Sequence, residues 1–275
     1  MKIGIDLGGT NIRAGLIENG KVIRKIIEPC KSDKPEKEVL EQLQTMISSL
    51  LAPDVESIGI GVPSVVNVEQ GIVYNVANIP SWVEVPLKDV LEKTFHIPVA
   101  VNNDSNCFAL GEYHFGQGAA YEDLVCLTLG TGVGAGIILR GKLYAGHNTG
   151  AGEIGCLPYL AHDYEYYCGS RYFSEEHGIT GKEAYERSLS GDQQAKQIWN
   201  EMGWHLGSLL KAILLVYDPQ AIILGGSISK AYVFFSAKMY ENMQDFLYPE
   251  SVKNLKIHIS EKKDIALLGA SILAG

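Results

Sequence analysis

Apolar and polar residues alternate with two periods along this chain. Lys2 to Leu7, Asn11 to Glu18 and Lys21 to Glu28 are short β-prone runs, divided by Gly8-Gly9-Thr10 and by Asn19-Gly20, a hairpin-turn pair. An antiparallel meander is therefore expected at the start. From Pro35 to Leu51 the apolar residues Val39, Leu40, Leu43, Met46, Ile47 and Leu50 follow helical spacing, and Ser57 to Val62 is a short buried-strand run. Pro86 opens a second helix to about Phe95. Pro98 to Val101 is a strand that delivers Asn102-Asn103-Asp104 at its end, where those polar residues cap a helix from Ser105 to about Tyr113.

The pattern then restarts. Leu124 to Leu129 and Val133 to Leu139 are strands around a Gly130-Thr131-Gly132 turn, and Gly141-Lys142 turns the chain again before Leu143-Tyr144. This repeats the opening layout and predicts two related α/β halves. Residues 145 to 181, rich in Gly, Tyr, Cys and His, read as irregular, and a stretch of that length is more often functional than idle. Gln193 to Tyr217 reads as one long helix. Ala221 to Leu224 is a buried strand, Val252 to Ile259 contains another, and Ile265 to Ala274 is a closing helix. With no low-complexity linker, the boundary falls at a packed hinge. The expected domains are residues 1–115, with the closing helix of 265–275 packed back on them, and 116–264.

Charge and cysteine content narrow the function classes. Twenty-three Lys and Arg against 32 Asp and Glu give a formal net charge of -9, which provides no general attraction to nucleic acid or anionic lipid. The first residues lack the zones of a signal peptide, and no apolar run approaches the roughly 18 residues of a membrane span. A cytoplasmic location, no membrane and no nucleic-acid partner are expected. Five cysteines at 30, 107, 126, 156 and 168 do not form a paired framework and read as reduced thiols.

Glycine carries the chemistry. The 30 glycines make up about 11% of the chain against a background of roughly 7%. Backbone N–H groups converge on an anion only where no Cβ blocks close approach, and three turns at strand ends offer this. They are Asp6-Leu7-Gly8-Gly9-Thr10-Asn11, Leu129-Gly130-Thr131-Gly132-Val133-Gly134-Ala135-Gly136, and Leu224-Gly225-Gly226-Ser227. The first runs hairpin-wise into another strand, so neither the Walker spacing nor GxGxxG followed by a helix describes it.

With these motifs the sequence resembles the ROK family of sugar kinases and sugar-responsive repressors, within the actin, hexokinase and heat-shock chaperone ATPase superfamily. DLGGTNIRAG (6–15) resembles the first phosphate motif, LGTGVGAG (129–136) the second and ILGGSIS (223–229) the adenosine motif. The stretch from Asn78 to Glu112 and GAGEIG (150–155) follow the family's sugar-side patterns. The resemblance implies an α/β fold of two related actin-like ATPase (ribonuclease H-like) domains with an interdomain cleft. It also implies ATP and Mg²⁺ as nucleotide and cation, and commonly a homodimer.

Phosphoryl transfer needs a phosphate cradle, a divalent cation and a carboxylate aimed at the attacking hydroxyl. By the resemblance Asp104 is the catalytic base, on the strand-to-helix junction, with Asn103, Asn78 and Glu153 as sugar ligands. Glu175, or its neighbour Glu176, falls where a second sugar carboxylate is placed. Asp6 acts on the cation through water, since Mg²⁺ parts with its water reluctantly. Gly8, Gly9, Gly130 and Gly132 offer backbone donors to the phosphates, Thr10 and Thr131 add hydroxyls, and Asn11 belongs to the same site. Gly225 and Gly226 let the adenosine lie flat against backbone.

One segment departs from the family. Most ROK kinases follow GEIG with a His that contacts sugar and ligates zinc, then a CxCGxxGC segment that supplies three thiolates. Cys156 stands at the His position, and of the three later cysteines only Cys168 survives, with Phe173 at the last of them. A structural zinc needs four Cys or His ligands, so none is expected, and Cys156 and Cys168 read as remnants. Tyr164, Tyr166, Tyr167, Tyr172 and Phe173 are expected to pack in place of the metal. Losing the His weakens a contact at the sugar position taken by Cys156.

The leading expectation is an ATP-dependent hexose kinase acting at O6 of glucose or a close aldohexose. An N-acetylmannosamine kinase or fructokinase, or a catalytically weak sugar sensor on the same fold, stays open. A repressor is disfavoured, because the first strand begins at residue 2 and nothing basic is left to read DNA.

Overall fold

Two reversals set the first sheet. Asn19 and Gly20 take φ of 49° and 71°, the positive pair a type I′ hairpin turn requires. With the Gly8–Thr10 turn they lay β1 (Lys2–Leu7), β2 (Asn11–Glu18) and β3 (Lys21–Pro29) side by side as an antiparallel meander. α1 (Glu36–Leu50) then returns the chain, burying Val39, Leu43, Met46, Ile47 and Leu50, the face its apolar spacing predicts. β4 (Ser57–Val62) is buried throughout and pairs parallel to β1. A small antiparallel sheet of β5 (Val66–Asn67), β6 (Ile72–Tyr74) and β7 (Glu84–Val85) precedes α2 (Leu87–Phe95). β8 (Val99–Asn103) pairs parallel to β4 and leads directly into α3 (Asp104–Phe115).

The computed structural model describes residues 1–147 and 149–274. The chain divides into two units, one of Met1–Ala120, Gly136–Ala151 and Glu261–Gly275, the other of Tyr121–Ala135 and Gly152–Ser260. The first unit's core is the apolar set Ile3, Ile5, Leu7, Leu43, Ile47, Ile58, Ile60 and Val101, together with Trp82. Its closing helix, Ile265–Ser271, lies backbone-close on glycine. A Cβ on Gly269 would sit 1.7 Å from the carbonyl oxygen of Cys107, and one on Gly111 would sit 2.1 Å from that of Ile265. Gly269→Ala is expected to destabilise the protein by about 3 kcal/mol, the upper end of overpacking costs, because the obstacle is backbone. Gly150→Ala, where a Cβ meets nothing within 4 Å, is the control and should shift stability by less than about 0.5 kcal/mol. Thermal or urea melts of the two variants decide it.

The second unit opens with β9 (Leu124–Leu129) and the start of β10 (Val133–Leu139), which runs on towards β11 (Lys142–Leu143). It continues through the ribbon β12 (Pro158–Tyr159) and β13 (His162–Asp163), the short α4 (Tyr164–Cys168) and α5 (Gly181–Leu189). The 25-residue α6 (Gln193–Tyr217), β14 (Ala221–Gly225), α7 (Tyr232–Met243), α8 (Pro249–Asn254) and β15 (Lys256–Ile259) complete it. β14 pairs parallel with both β9 and β15.

The repeat read in the sequence has a structural counterpart. One sheet has the order β3-β2-β1-β4-β8 and the other β11-β10-β9-β14-β15. Counted within each sheet, both run third, second, first, fourth, fifth. Residues 145–181 are less irregular than their composition suggests: β12, β13, α4 and a π turn over Tyr172–Glu176 lie within them. Each has only two to five residues, too few to show a period. Among the described residues no helix is long and apolar enough to cross a membrane.

Candidate functional site

In the first unit the polar candidates collect at the carboxyl ends of parallel strands, where open α/β sheets bind their ligands. Asp6 on β1 is in register with Gly61 on β4, and Gly61 with Asn102 on β8, so the three stand in one row across the sheet. Asp104 follows two residues later as the first residue of α3. Gly61 keeps the middle of the row open, since a Cβ there would lie 3.0 Å from Cys107 Sγ and 3.3 Å from the Asp104 Cα. The turn after β1 is closed by the Gly8 N–H donating to the Asn11 carbonyl at 3.0 Å. Gly9 packs on Asn78, whose Cβ would lie 2.2 Å from a Cβ at residue 9. That contact brings Asn78, exposed and distant in sequence, to the glycine turn. Thr10 is exposed on the same turn.

The cap of α3 fixes Asp104. Asn103 Oδ1 accepts from the N–H groups of Ser105 at 2.9 Å and Asn106 at 3.3 Å, so Asn103 rather than Asp104 is the N-cap. Asn103 Nδ2 donates to the Ser64 carbonyl at 3.3 Å. Asn102 Oδ1 accepts from the Asn103 N–H at 2.8 Å and from Asn106 Nδ2 at 2.9 Å. Asp104 Oδ1 accepts from the Ser105 N–H at 2.7 Å. A cavity of about 820 Å³ in this unit is lined by Asn102 together with Val66, Asn67, Tyr74 and Thr149.

Electrostatics mark the same row. Burial raises the Asp6 carboxyl above the ordinary 3.8, against the pull of Arg13, whose Nη1 donates to Asp6 Oδ2 at 3.1 Å. Arg13 carries no role in the sequence reading, although the hairpin register that pairs Asp6 with Arg13 across β1 and β2 signals the contact. The buried Cys107 thiol is pushed well up, first by burial and then by the charges of Asp104 and Asp6.

The second unit gathers the other two glycine turns. Gly226, at φ 85°, turns against β9, and a Cβ there would lie 2.2 Å from the Leu129 carbonyl oxygen. Gly225 and Gly226 thus end β14 beside the start of the Gly130–Gly132 turn, Gly226 in a backbone conformation that favours glycine. GAGEIG has a similar steric reason. Cβ atoms on Gly152 and Gly155 would sit 2.0 Å and 2.3 Å from the carbonyl oxygens of Ala135 and Val133. Both glycines press the segment onto the start of β10 and deliver Glu153 there. Although Glu153 is exposed as a residue, its carboxyl is raised by partial loss of solvent and then by the charge of Glu165.

The remaining candidates are more scattered. Cys156 is exposed, its thiol raised by partial burial and then by Glu153. Cys168 is buried, and burial raises its thiol strongly. Glu175 is exposed on the π turn, where Arg171 Nε donates to it at 3.0 Å, while Glu176 accepts from the Tyr166 hydroxyl at 2.8 Å. Rings fill the space between these residues and α6. Tyr159 stacks on Tyr164 with centroids 4.3 Å apart, His162 on Tyr166 at 3.9 Å, and Tyr167 lies 4.7 Å from His205. Phe173 is fully buried 4.6 Å from Trp199. Among the described residues no group of three or more His, Cys, Asp or Glu is placed to hold a metal ion.

A strand–glycine turn–strand unit at the same place in two sheets of the same order defines an α/β protein of the actin-like ATPase class. The ROK family model matches residues 2–275, and the chain belongs to the ROK family. It is 28% identical over 302 residues to a glucokinase of Thermotoga maritima, covering 98% of this chain and 95% of that protein. It is 29% identical over 290 residues to a beta-glucoside kinase of Listeria monocytogenes, covering 98% and 96%. The crystal structure of a ROK family glucokinase from Streptomyces griseus in complex with glucose and AMPPNP matches it with a TM-score of 0.86 at 27% identity. The match covers 99% of this chain and 98% of that one.

Proposed function

We propose that the chain is an ATP-dependent sugar kinase that transfers the γ-phosphoryl group of ATP to a hexose hydroxyl, with O6 of glucose or a close aldohexose as the acceptor. The observation that carries this reading is the row Asp6, Gly61, Asn102 at the carboxyl ends of β1, β4 and β8, with Asp104 fixed just beyond it by the Asn103 cap. The family membership and the glucokinase relatives support the same chemistry.

In this reading Asp104 takes the proton of the attacking sugar hydroxyl as its oxygen bonds to the γ-phosphorus and ADP leaves. Asn103 and Asn78 donate to or accept from sugar hydroxyls. Glu153 accepts from a vicinal pair, and Glu175 is the candidate for a further carboxylate contact. Cys156, in the place of an imidazole, is a weaker hydrogen-bonding group and shifts preference among sugars. Gly8, Gly9, Gly130 and Gly132 present backbone N–H groups to the phosphates, Thr10, Asn11 and Thr131 add side-chain polar groups, and Gly225 and Gly226 admit the adenosine. Asp6, a mostly buried carboxylate at a strand end with Arg13 on Oδ2 alone, suits Mg²⁺, which prefers one or two carboxylates plus substrate phosphates. Mg²⁺ supplies neutralisation of the phosphate charge when bound there with the nucleotide.

We place the protein in the cytoplasm, where its five free cysteines stay reduced, and read it as a homodimer. The functional domains divide near residue 115, with the closing helix belonging to the first. ADP release measured with a panel of hexoses and N-acetylhexosamines tests the reading. Sugar-dependent release, strongest with glucose or a close aldohexose, is expected. Binding of a sugar with no ADP formed for any member would overturn the kinase in favour of a sensor.

A further inference from the structure

Residues 165–170 are fastened to the second glycine turn from both sides. Glu165, on α4, accepts from the Val133 N–H through Oε2 at 3.0 Å. Its carboxylate covers Gly132 so closely that a Cβ there would lie 2.3 Å from the same oxygen. On the other side the Ser170 N–H donates to the Gly130 carbonyl at 2.9 Å, and Ser170 Oγ donates to the Thr131 carbonyl at 3.3 Å. Gly169 permits the approach, since a Cβ at that position would lie 2.8 Å from the Thr131 carbonyl oxygen.

These bonds sort the polar groups of the turn. The Gly130 N–H closes the turn on the Gly132 carbonyl at 3.0 Å, and the Val133 N–H goes to Glu165. Among the described residues, the N–H groups of Thr131 and Gly132 are then the donors of the turn available to converge on an anion. A short glycine-containing turn has many accessible backbone shapes, and only a few of them aim two successive N–H groups at one point. Contacts that hold its flanks therefore set how well it binds. A carboxylate beside a phosphate site is electrostatically unfavourable, so its presence there calls for a compensating geometric role.

We propose that Glu165 is a positioning residue for nucleotide binding: by holding the Val133 amide it fixes the second glycine turn in the shape in which the Thr131 and Gly132 N–H groups meet a phosphate. The role rests on the kinase reading for its ligand, but its geometric half stands apart from it. α4 has only five residues and cannot hold its place by helix propensity. Asp163 caps it through the Tyr166 N–H at 2.7 Å, and the stacked pairs Tyr159–Tyr164 and His162–Tyr166 seat it. Glu165 is thus presented from a fixed platform.

The test compares wild type, Glu165→Ala and Glu165→Gln by three measurements: AMPPNP affinity and glucose affinity by calorimetry, and hydrogen exchange of the peptide spanning residues 129–135. Ala is expected to weaken AMPPNP at least tenfold, to leave glucose affinity unchanged and to speed exchange of the Val133 amide. Gln, whose amide oxygen accepts the same bond without the charge, should restore both protection and AMPPNP affinity to the wild-type level or better. Unchanged exchange in the Ala variant overturns the proposal. So does a Gln variant that binds AMPPNP as weakly as Ala, which would make the charge the active property. Equal loss of glucose and AMPPNP affinity in Ala, accompanied by a lowered melting temperature, also overturns it as general damage. If Ala does not fold, Glu165→Met, which keeps the bulk but offers only a weak sulfur acceptor, takes its place in all three measurements with the same expected and overturning results. If wild type binds no AMPPNP, the kinase reading falls and the exchange comparison still decides whether Glu165 holds the turn.

Discussion

Asp104→Asn is expected to lower kcat by about 10²- to 10⁴-fold, the scale of general-base removal, with KM for sugar and ATP changed far less. The substitution removes the proton acceptor but keeps the shape. The N-cap of α3 is Asn103, so the cap survives the substitution. Asn103 Oδ1 goes on accepting from Ser105 and Asn106 in the variant. The bond from the Ser105 N–H to Asp104 Oδ1, 2.7 Å in the wild type, has an oxygen acceptor in Asn as well. Melting temperature should therefore stay near the wild-type value while turnover collapses. A fall in kcat that tracks a loss of folded protein would mean that Asp104 matters for α3 and not for the proton. A kcat within about fivefold of wild type would remove Asp104 from the role of base, given the size of the effect expected.

Local features of the candidate site are legible in the sequence, and features made by long-range packing are not. A turn that needs glycine announces itself, so the reversals at 8–10 and 130–132 and the strand-end glycines at 225–226 are visible in the sequence. The duplicated strand–turn–strand layout is visible in the same way, and it appears as two sheets of one strand order. Asp104 is legible because a short apolar run followed by Asn-Asn-Asp-Ser reads as a strand passing into a capped helix. Arg13 was within reach, since the hairpin register sets it opposite Asp6. α5 carries a local signal as well: Thr180 and Glu183 form a capping box at its start. Glu165 had no local signal. Its partner Val133 is 32 residues away, and the contact exists because ring stacking, the Asp163 cap and close-packed glycines fold the intervening segment onto the second glycine turn, through Gly169, and onto the start of β10, through Gly152 and Gly155. The row of Asp6, Gly61 and Asn102 is likewise a property of parallel pairing, which no single segment encodes.

Asp6→Asn is expected to separate activity from stability, lowering turnover by about a hundredfold or more while leaving the protein as stable as the wild type at neutral pH, or more so. The activity loss follows the general scale for removing one preorganised electrostatic partner from a site of charge transfer. The stability effect follows from the direction of the carboxyl shift. Burial raises Asp6 above 3.8, and the Arg13 charge and hydrogen bond offset only part of it. A carboxyl raised in the folded state holds its proton more tightly there than in the unfolded chain. Stability therefore falls as pH rises from the unfolded value of 3.8 through the raised folded value, and the deficit persists at pH 7. Asn carries no charge to desolvate, so the deficit is absent from the variant. The substitution also removes an ion pair, but Arg13 is 51% exposed and such pairs contribute little. Thermal melts of both proteins without nucleotide or metal should coincide most closely at acid pH, below 3.8, and diverge in favour of Asn above the folded value. A variant that melts several degrees lower at pH 7, with the difference vanishing in acid, would show that the Arg13 pair outweighs burial. Asp6 would then be a structural carboxylate held by its cross-strand partner. The expected pattern, with activity lost and stability kept, is that of a buried charge retained at a cost for holding the cation.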